Sequence, residues 1–310
     1  MTAALEWGES LGGGVSASRR WKNRVATILM AASLLVAAVP LLYLIWVVVS
    51  KGAAAIGVDW FTKDIPTNAT TAALASKFGA APEKVVFGMW PAIYGTLMIT
   101  GLAALISIPF GIMGAIYLHE YGEPKRFASV VRFFTDVMTG VPSVVMGIFI
   151  YTIWVLNLKD TGRSGLAGAL ALACLMLPIV VRSTEEMLRL VPDSLREASA
   201  ALGVQKWKTI TTVVLPAALP GITSGAMLAV ARAAGETAPL LFTVGSITET
   251  NWSPFGQNTA LSMQIYSNVT QPGAASAKLA WGAAFTLIAI VVGFTLVARA
   301  IAARVSVSAN

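Results

Sequence analysis

The sequence predicts an all-α protein that crosses a membrane six times. Three observations carry this. The chain is 56% hydrophobic and only 12% charged over 310 residues, about half the ~25% charge of soluble domains. Its mean hydropathy is +0.73, and its apolar runs approach the ~20 residues that a spanning helix needs. The alternating ten-residue segments of a membrane strand are missing. The formal charge of +7 is carried by residues beside apolar runs rather than by a basic domain, which argues for membrane topology and against nucleic acid.

The elements follow in order. Residues 1–24 read as a Gly/Ser/Ala-rich cytoplasmic tail. The uncharged run 25–49 reads as the first membrane helix. The Arg19-Arg20 pair before it has the look of a secretion signal, but the run exceeds the ~7–15 residues of a signal core. Residues 50–92 form an extracytoplasmic segment. The remaining five helices fall in a core, 93–298, with spans expected at Ile93–Leu118, Phe133–Leu156, from Gly165 to about Leu190, Val213–Leu241 and Leu279–Ala298. Thr139, Gly140, Pro142 and Ser143 mark a break or kink in the third span. His119–Arg126 reads as a turn, as do Asp160 and Arg163. Ser246–Lys278 reads as a long polar outer loop, and 299–310 as a second cytoplasmic tail. With both termini inside, 14 Lys and Arg residues lie on the cytoplasmic side and 7 outside, the asymmetry that the positive-inside rule expects.

Arg232 and Glu236 stand one helical turn apart in a stretch without other charge, Val213–Leu241. A charge near the bilayer centre costs at least ~2.5–3.5 kcal/mol, so such residues face a bundle interior or an aqueous path. Counting from Pro216 or Pro220 places Arg232 roughly 18–24 Å into a ~30 Å core. Two readings stay open: a polar path, or a buried pair that fixes helix register. Arg182 and Glu185, three residues apart, share a helix face. Arg182 also suits a snorkelling residue at the cytoplasmic boundary. Asp136 reads as an interfacial residue, and the lone His119 as a helix-end residue that cannot build a metal site. Cys174, the single cysteine, reads as a small buried hydrophobe.

The cytoplasmic segment 191–212 has its own pattern. Ser194 with Glu197 three residues on forms a capping-box sequence. Leu195, Ala198, Ala201 and Leu202 fall near one face, and Gly203 suits a helix-ending left-handed residue. Two short helices are expected, the second carrying Lys206, Trp207 and Lys208. On these grounds alone, an interfacial connector and a surface made to lie in a partner's groove both remain open.

The spacing resembles the cytoplasmic loop of ABC importer permeases: E-A-A, three residues, G, nine residues, I-x-L-P. Glu197-Ala198-Ser199 stand for E-A-A and Gly203 for the glycine. Val204–Thr212 supply the nine, and Val213-Val214-Leu215-Pro216 the end. Ser199 and Val213 depart from the consensus. The segments GVPSVVMGIFIY, SGLAGALALACLMLPIVVRSTEEMLRLVP and ARAAGETAPLLFT resemble the phosphate-specific permease family of PstA type over roughly residues 90–300.

That resemblance implies a type I ABC importer permease fold in a bacterial plasma membrane. It implies a phosphate path past Arg182, Glu185, Arg232 and Glu236, and ATPase coupling through Glu197, Ala198, Ser199, Gly203 and Pro216. The implied partners are a second homologous permease, two cytoplasmic ATPase subunits that bind the ATP, and an extracytoplasmic phosphate-binding protein. The chain itself would hold no cofactor, and no G-x-x-x-x-G-K-[ST] loop occurs in it. A sulfate or molybdate permease and the paralogous partner permease are the near alternatives. An intramembrane protease lacks a second buried aspartate or a histidine within a span. A structural scaffold leaves the connector spacing and Arg232 unexplained.

Overall fold

The computed structural model describes residues 17–67, 86–122, 126–158 and 162–307. The described residues are mostly helical, with no strand among them. Two compact units are distinguished, Met1–Ser50 and Lys51–Asn310. The first holds most of α1 (Ala17–Ala53), an apolar helix with Pro40 inside it and a largely exposed surface. The described part of the 50–92 segment contains a short 3-10 turn, Val58–Phe61, whose Trp60 is fully buried and donates to Thr286 Oγ1 at 3.0 Å.

The second unit continues with α2 (Trp90–Ile116), which widens into a π turn at Tyr117–Tyr121. Next come α3 (Arg126–Gly140) and α4 (Ser143–Ile150), the latter extended by a π turn at Tyr151–Val155. Then follow α5 (Gly165–Arg189), α6 (Asp193–Ala201) and the single turn α7 (Lys206–Thr209). A π turn, Ile210–Val214, joins α7 to α8 (Leu215–Ala234). The chain ends with α9 (Ala238–Thr243), α10 (Leu261–Val269) and α11 (Ala274–Val307). Five of these runs are long and apolar enough to cross a membrane, and six if α3 and α4 count as one bent span.

The middle of the unit is built on α2, α5 and α8. Its core brings Ile99 and Ala103 together with Leu172, Met176, Val180, Ala229 and Ala233. The contacts are close because the residues are small: a Cβ on Gly111 would lie 2.7 Å from Val180 Cγ1, and one on Gly95 1.9 Å from the Thr259 carbonyl oxygen. Lipid gives no hydrophobic drive between helices, so this packing through Gly and Ala is what holds them. Helix α5 is the innermost, with 61% of its most apolar window buried against 33% for α2 and for the α7–α8 run. Polar residues on α5 are therefore the ones set inside the bundle.

The break or kink expected in the third span is a break: two helices are bent by 107° at Gly140-Val141-Pro142. Proline lacks the N–H for a helical bond and pushes its predecessor out of the α region. The fifth helix ends at Ala234 instead of Leu241, where Gly235 and Pro239 interrupt it. At its other end it is continuous back to Lys206. Pro216 is accommodated without a break because the π turn ends just before it. The polar outer loop contains a buried helix, α10. The capping box does not form: α6 starts at Asp193 with Pro192 before it and no side-chain cap. Gly203 does adopt the left-handed conformation, with φ +73. The amino tail before residue 17, residues 68–85, Asp160 and the last three residues lie outside the described residues.

Candidate functional site

A cleft of ≈ 450 Å³ opens between the α3–α4 break, α5 and the end of α8. The break contributes Thr139, Pro142 and Ser143, with Met138 and Val141. Helix α5 contributes Arg182, Ser183 and Glu186 below Leu175 and Ile179, and Arg232 and Glu236 close the other side. Arg182 follows Gly165 by 17 residues and precedes Arg189 by 7, about 25 Å and about 10 Å along the helix. The cleft thus lies within the length of the apolar helix α5, nearer the end that leads to the connector, and is open on the surface of the single chain.

Each charge is positioned by a local feature. Arg182 Nε lies 3.3 Å from Asp136 Oδ1 on α3, with both side chains about half exposed. Arg232 Nε lies 3.8 Å from Glu236 Oε1, beyond hydrogen-bond reach, so the pair attracts without being locked. Arg232 is 68% exposed in the single chain. Glu236 stands just past the end of α8, where its N–H is held by Ala233 O at 3.1 Å and its carbonyl accepts from Ser262 Oγ of α10 at 3.0 Å. Arg182 thus faces Asp136 and Arg232 faces Glu236, and Glu186 lines the same cleft.

Arg182, Arg232 and Glu236 share this cleft, and Glu185 lies outside it. Its side chain is 3% exposed and accepts from Arg132 Nε at 2.9 Å. Arg132 Nη2 also donates to the Leu118 carbonyl at 2.8 Å. Glu185 Oε2 and the neighbouring Thr184 Oγ1 are buried without a hydrogen-bond partner among the described residues. The expected Arg182–Glu185 face is replaced by Arg182 and Glu186. On a helix of about 100° per residue, Glu186 lies about 40° from Arg182 and Glu185 about 60° on the other side. Both satisfy the face rule; Glu185 is buried against Arg132 of α3, and Glu186 is exposed at the cleft. Asp136 and Glu186 were not singled out for the site from the sequence.

The connector forms two helices at an angle, as expected. Glu197 and Ala198 are exposed on α6, while Ser199 is buried, its hydroxyl 2.8 Å from Thr209 Oγ1 of α7. Small side chains here let the two helices approach. Gly203 turns the chain between them, and Pro216 is exposed in the first turn of α8. Leu195, Leu202 and Trp207 are exposed beside Glu197. Among the described residues no cluster of His, Cys, Asp or Glu could hold a metal ion, and His119 instead lies 3.4 Å from Arg196.

Comparison with known proteins adds the following. Residues 107–307 match the family described as "Binding-protein-dependent transport system inner membrane component". The chain is 46% identical over 285 residues to the phosphate transport system permease protein PstA 1 of Mycobacterium tuberculosis (strain CDC 1551 / Oshkosh), covering 91% of this chain and 89% of that protein. It is 39% identical over 291 residues to the PstA protein of Yersinia pestis, covering 92% of each. In fold it is similar to a bacterial ABC transporter involved in the import of the acidic polysaccharide alginate, with TM-score 0.60, 17% identity and coverage of 92% of this chain and 99% of that one. It is also similar to an inward-facing MetNI methionine ABC transporter, with TM-score 0.54, 18% identity and coverage of 70% and 93%.

Proposed function

The chain belongs to the binding-protein-dependent inner-membrane transport components and, within them, to the phosphate permeases of PstA type; on that premise we propose that it forms half of the membrane path of an ATP-driven phosphate importer. The observation that carries the path is the cleft that brings Arg182 and Arg232 together on helices apolar enough to cross a membrane. An arginine fork makes paired, charge-assisted bonds to a phosphate and stays protonated. Phosphate entering the cleft competes with Asp136 for Arg182 and with Glu236 for Arg232. The carboxylates weaken the hold on the anion, and a transported ion needs a site it can leave.

The exposed Arg232 supports a second permease facing this side, since a charge at that depth avoids lipid. The remaining partners are two ATPase subunits under the connector and an extracytoplasmic phosphate-binding protein over the Ser246–Lys278 face. Both termini are placed in the cytoplasm on the Lys and Arg distribution. Transport proceeds by alternating access, with closure of the ATPase pair moving α6 and α7.

The test of substrate is radiolabelled phosphate uptake in cells lacking this chain. Restoring the chain should restore phosphate uptake, and excess sulfate or molybdate should not compete. Restored sulfate or molybdate uptake without phosphate uptake contradicts the substrate.

Coupling makes a separate prediction. Glu197 is exposed on α6 with no ion pair among the described residues. Replacing it by lysine reverses the charge offered to the ATPase, and like charges at a docking surface cost several kcal/mol. The Glu197→Lys chain should reach the membrane at normal levels and lose phosphate uptake by at least about tenfold. Immunoblots of membranes beside uptake assays check both halves.

A further inference from the structure

Arg196 of α6 sits where three elements meet. Its Nε and Nη2 donate to Glu120 Oε1 at 3.2 and 3.0 Å, on the π turn that ends α2. Nη2 also donates to the Leu188 carbonyl at 2.9 Å, and Nη1 to the Val191 carbonyl at 2.7 Å, at the end of α5. Nη1 reaches Asp193 Oδ1 at 3.0 Å. The Arg196 and Glu120 side chains are 19% and 6% exposed. From α7, the Lys206 ammonium donates to the Glu120 carbonyl and lies 4.9 Å over the Tyr121 ring. Both helices of the connector are therefore fastened to Glu120, on the π turn that ends α2.

The other face of α6 is different. Leu195, Glu197, Ala198 and Ala200 are exposed and belong to the surface assigned above to the ATPase. Arg196 is turned inward, away from that surface. We propose that the Arg196–Glu120 pair is the linkage that carries a push on the connector into α2, which makes both of them positioning residues of transport.

The physical reason is rigidity. A connector joined to the bundle only through its chain ends swivels when pushed. A guanidinium that engages a carboxylate on one helix and two carbonyls on another fixes its orientation in a way no apolar contact does. Such a pair gives little net stability over apolar packing, because both groups are removed from water. The contacts also lead onward. Leu118, two residues before Glu120, accepts from Arg132, and Arg132 holds Glu185, next in sequence to the cleft residue Glu186.

This inference rests on the reading that a separate ATPase docks on the connector. The experiment compares wild type, Glu120→Gln, Arg196→Ala and the double variant in the complete transporter. It reads ATPase subunit recovered with the chain, ATP hydrolysed, and phosphate moved per ATP. Each single variant should retain its ATPase and move at least about tenfold less phosphate per ATP, the scale of a lost charged hydrogen bond. The double variant should fall no further, because both changes remove one contact. Unchanged phosphate per ATP in the single variants would overturn the linkage. So would losses that multiply in the double variant, or an uptake loss that only follows lost ATPase. Failure of the wild-type chain to retain an ATPase would overturn the parent reading, and the linkage with it.

Discussion

Arg132→Ala should lower the stability of the folded chain by about 3–5 kcal/mol, the range for removing one partner of a buried ion pair. Glu185 is almost fully buried on the innermost helix, and Arg132 Nε at 2.9 Å is the donor that meets its charge. Its second oxygen has no hydrogen-bond partner among the described residues, so little is left to compensate it. The same substitution frees the Leu118 carbonyl. Unfolding of the purified protein in detergent, followed by denaturant titration, measures the loss. Adding Glu185→Gln to Arg132→Ala should recover part of it by removing the stranded charge. No recovery would mean that Arg132 matters through its other contacts.

Arg232→Gln should cut phosphate uptake by about 10- to 100-fold at equal membrane levels, the equivalent of ~1.5–3 kcal/mol for a hydrogen bond to a charged group. Its stability effect should be small. Arg232 is 68% exposed and stands 3.8 Å from Glu236, and a loose, exposed pair contributes about 0–1 kcal/mol. The two arginines thus separate by readout: Arg132 through stability, Arg232 through transport. Arg232→Lys should fall between wild type and Arg232→Gln. It keeps the charge and loses the fork.

Much of this arrangement is legible in the sequence where one local rule decides it. The unbroken apolar runs of α2 and α5 announce themselves, and Gly140 and Pro142 announce the bend between α3 and α4. Arg182 and Arg232 stand out because charge is costly in an apolar run. The connector is legible from spacing, down to the left-handed Gly203.

What stays hidden depends on distant partners. Helix α10 reads as loop because its buried residues include Ser262, Gln264 and Asn268. Their polarity is satisfied in the fold: Gln264 Nε2 donates to Thr259 Oγ1 at 2.9 Å, and Asn268 Nδ2 to the Gln264 carbonyl at 2.8 Å. Glu185 and Glu186 both fit a face shared with Arg182, and only Arg132, from another helix, separates their surroundings. Glu120 and Arg196 lie 76 positions apart, and neither stands out alone in a charged, membrane-edge segment. The Ser194–Glu197 capping box fails for a local reason that competes with it: with Pro192 as N-cap, the helix starts two residues earlier than the box requires.

The central claim is that phosphate passes through the cleft between Arg182 and Arg232. The most direct measurement is initial-rate phosphate uptake by the complete transporter in proteoliposomes, comparing wild type with Arg232→Gln at matched chain and ATPase content. The account predicts a loss of at least about tenfold with the chain still folded and its ATPase still bound. Wild-type uptake by Arg232→Gln would contradict it and reduce the Arg232–Glu236 pair to a structural contact.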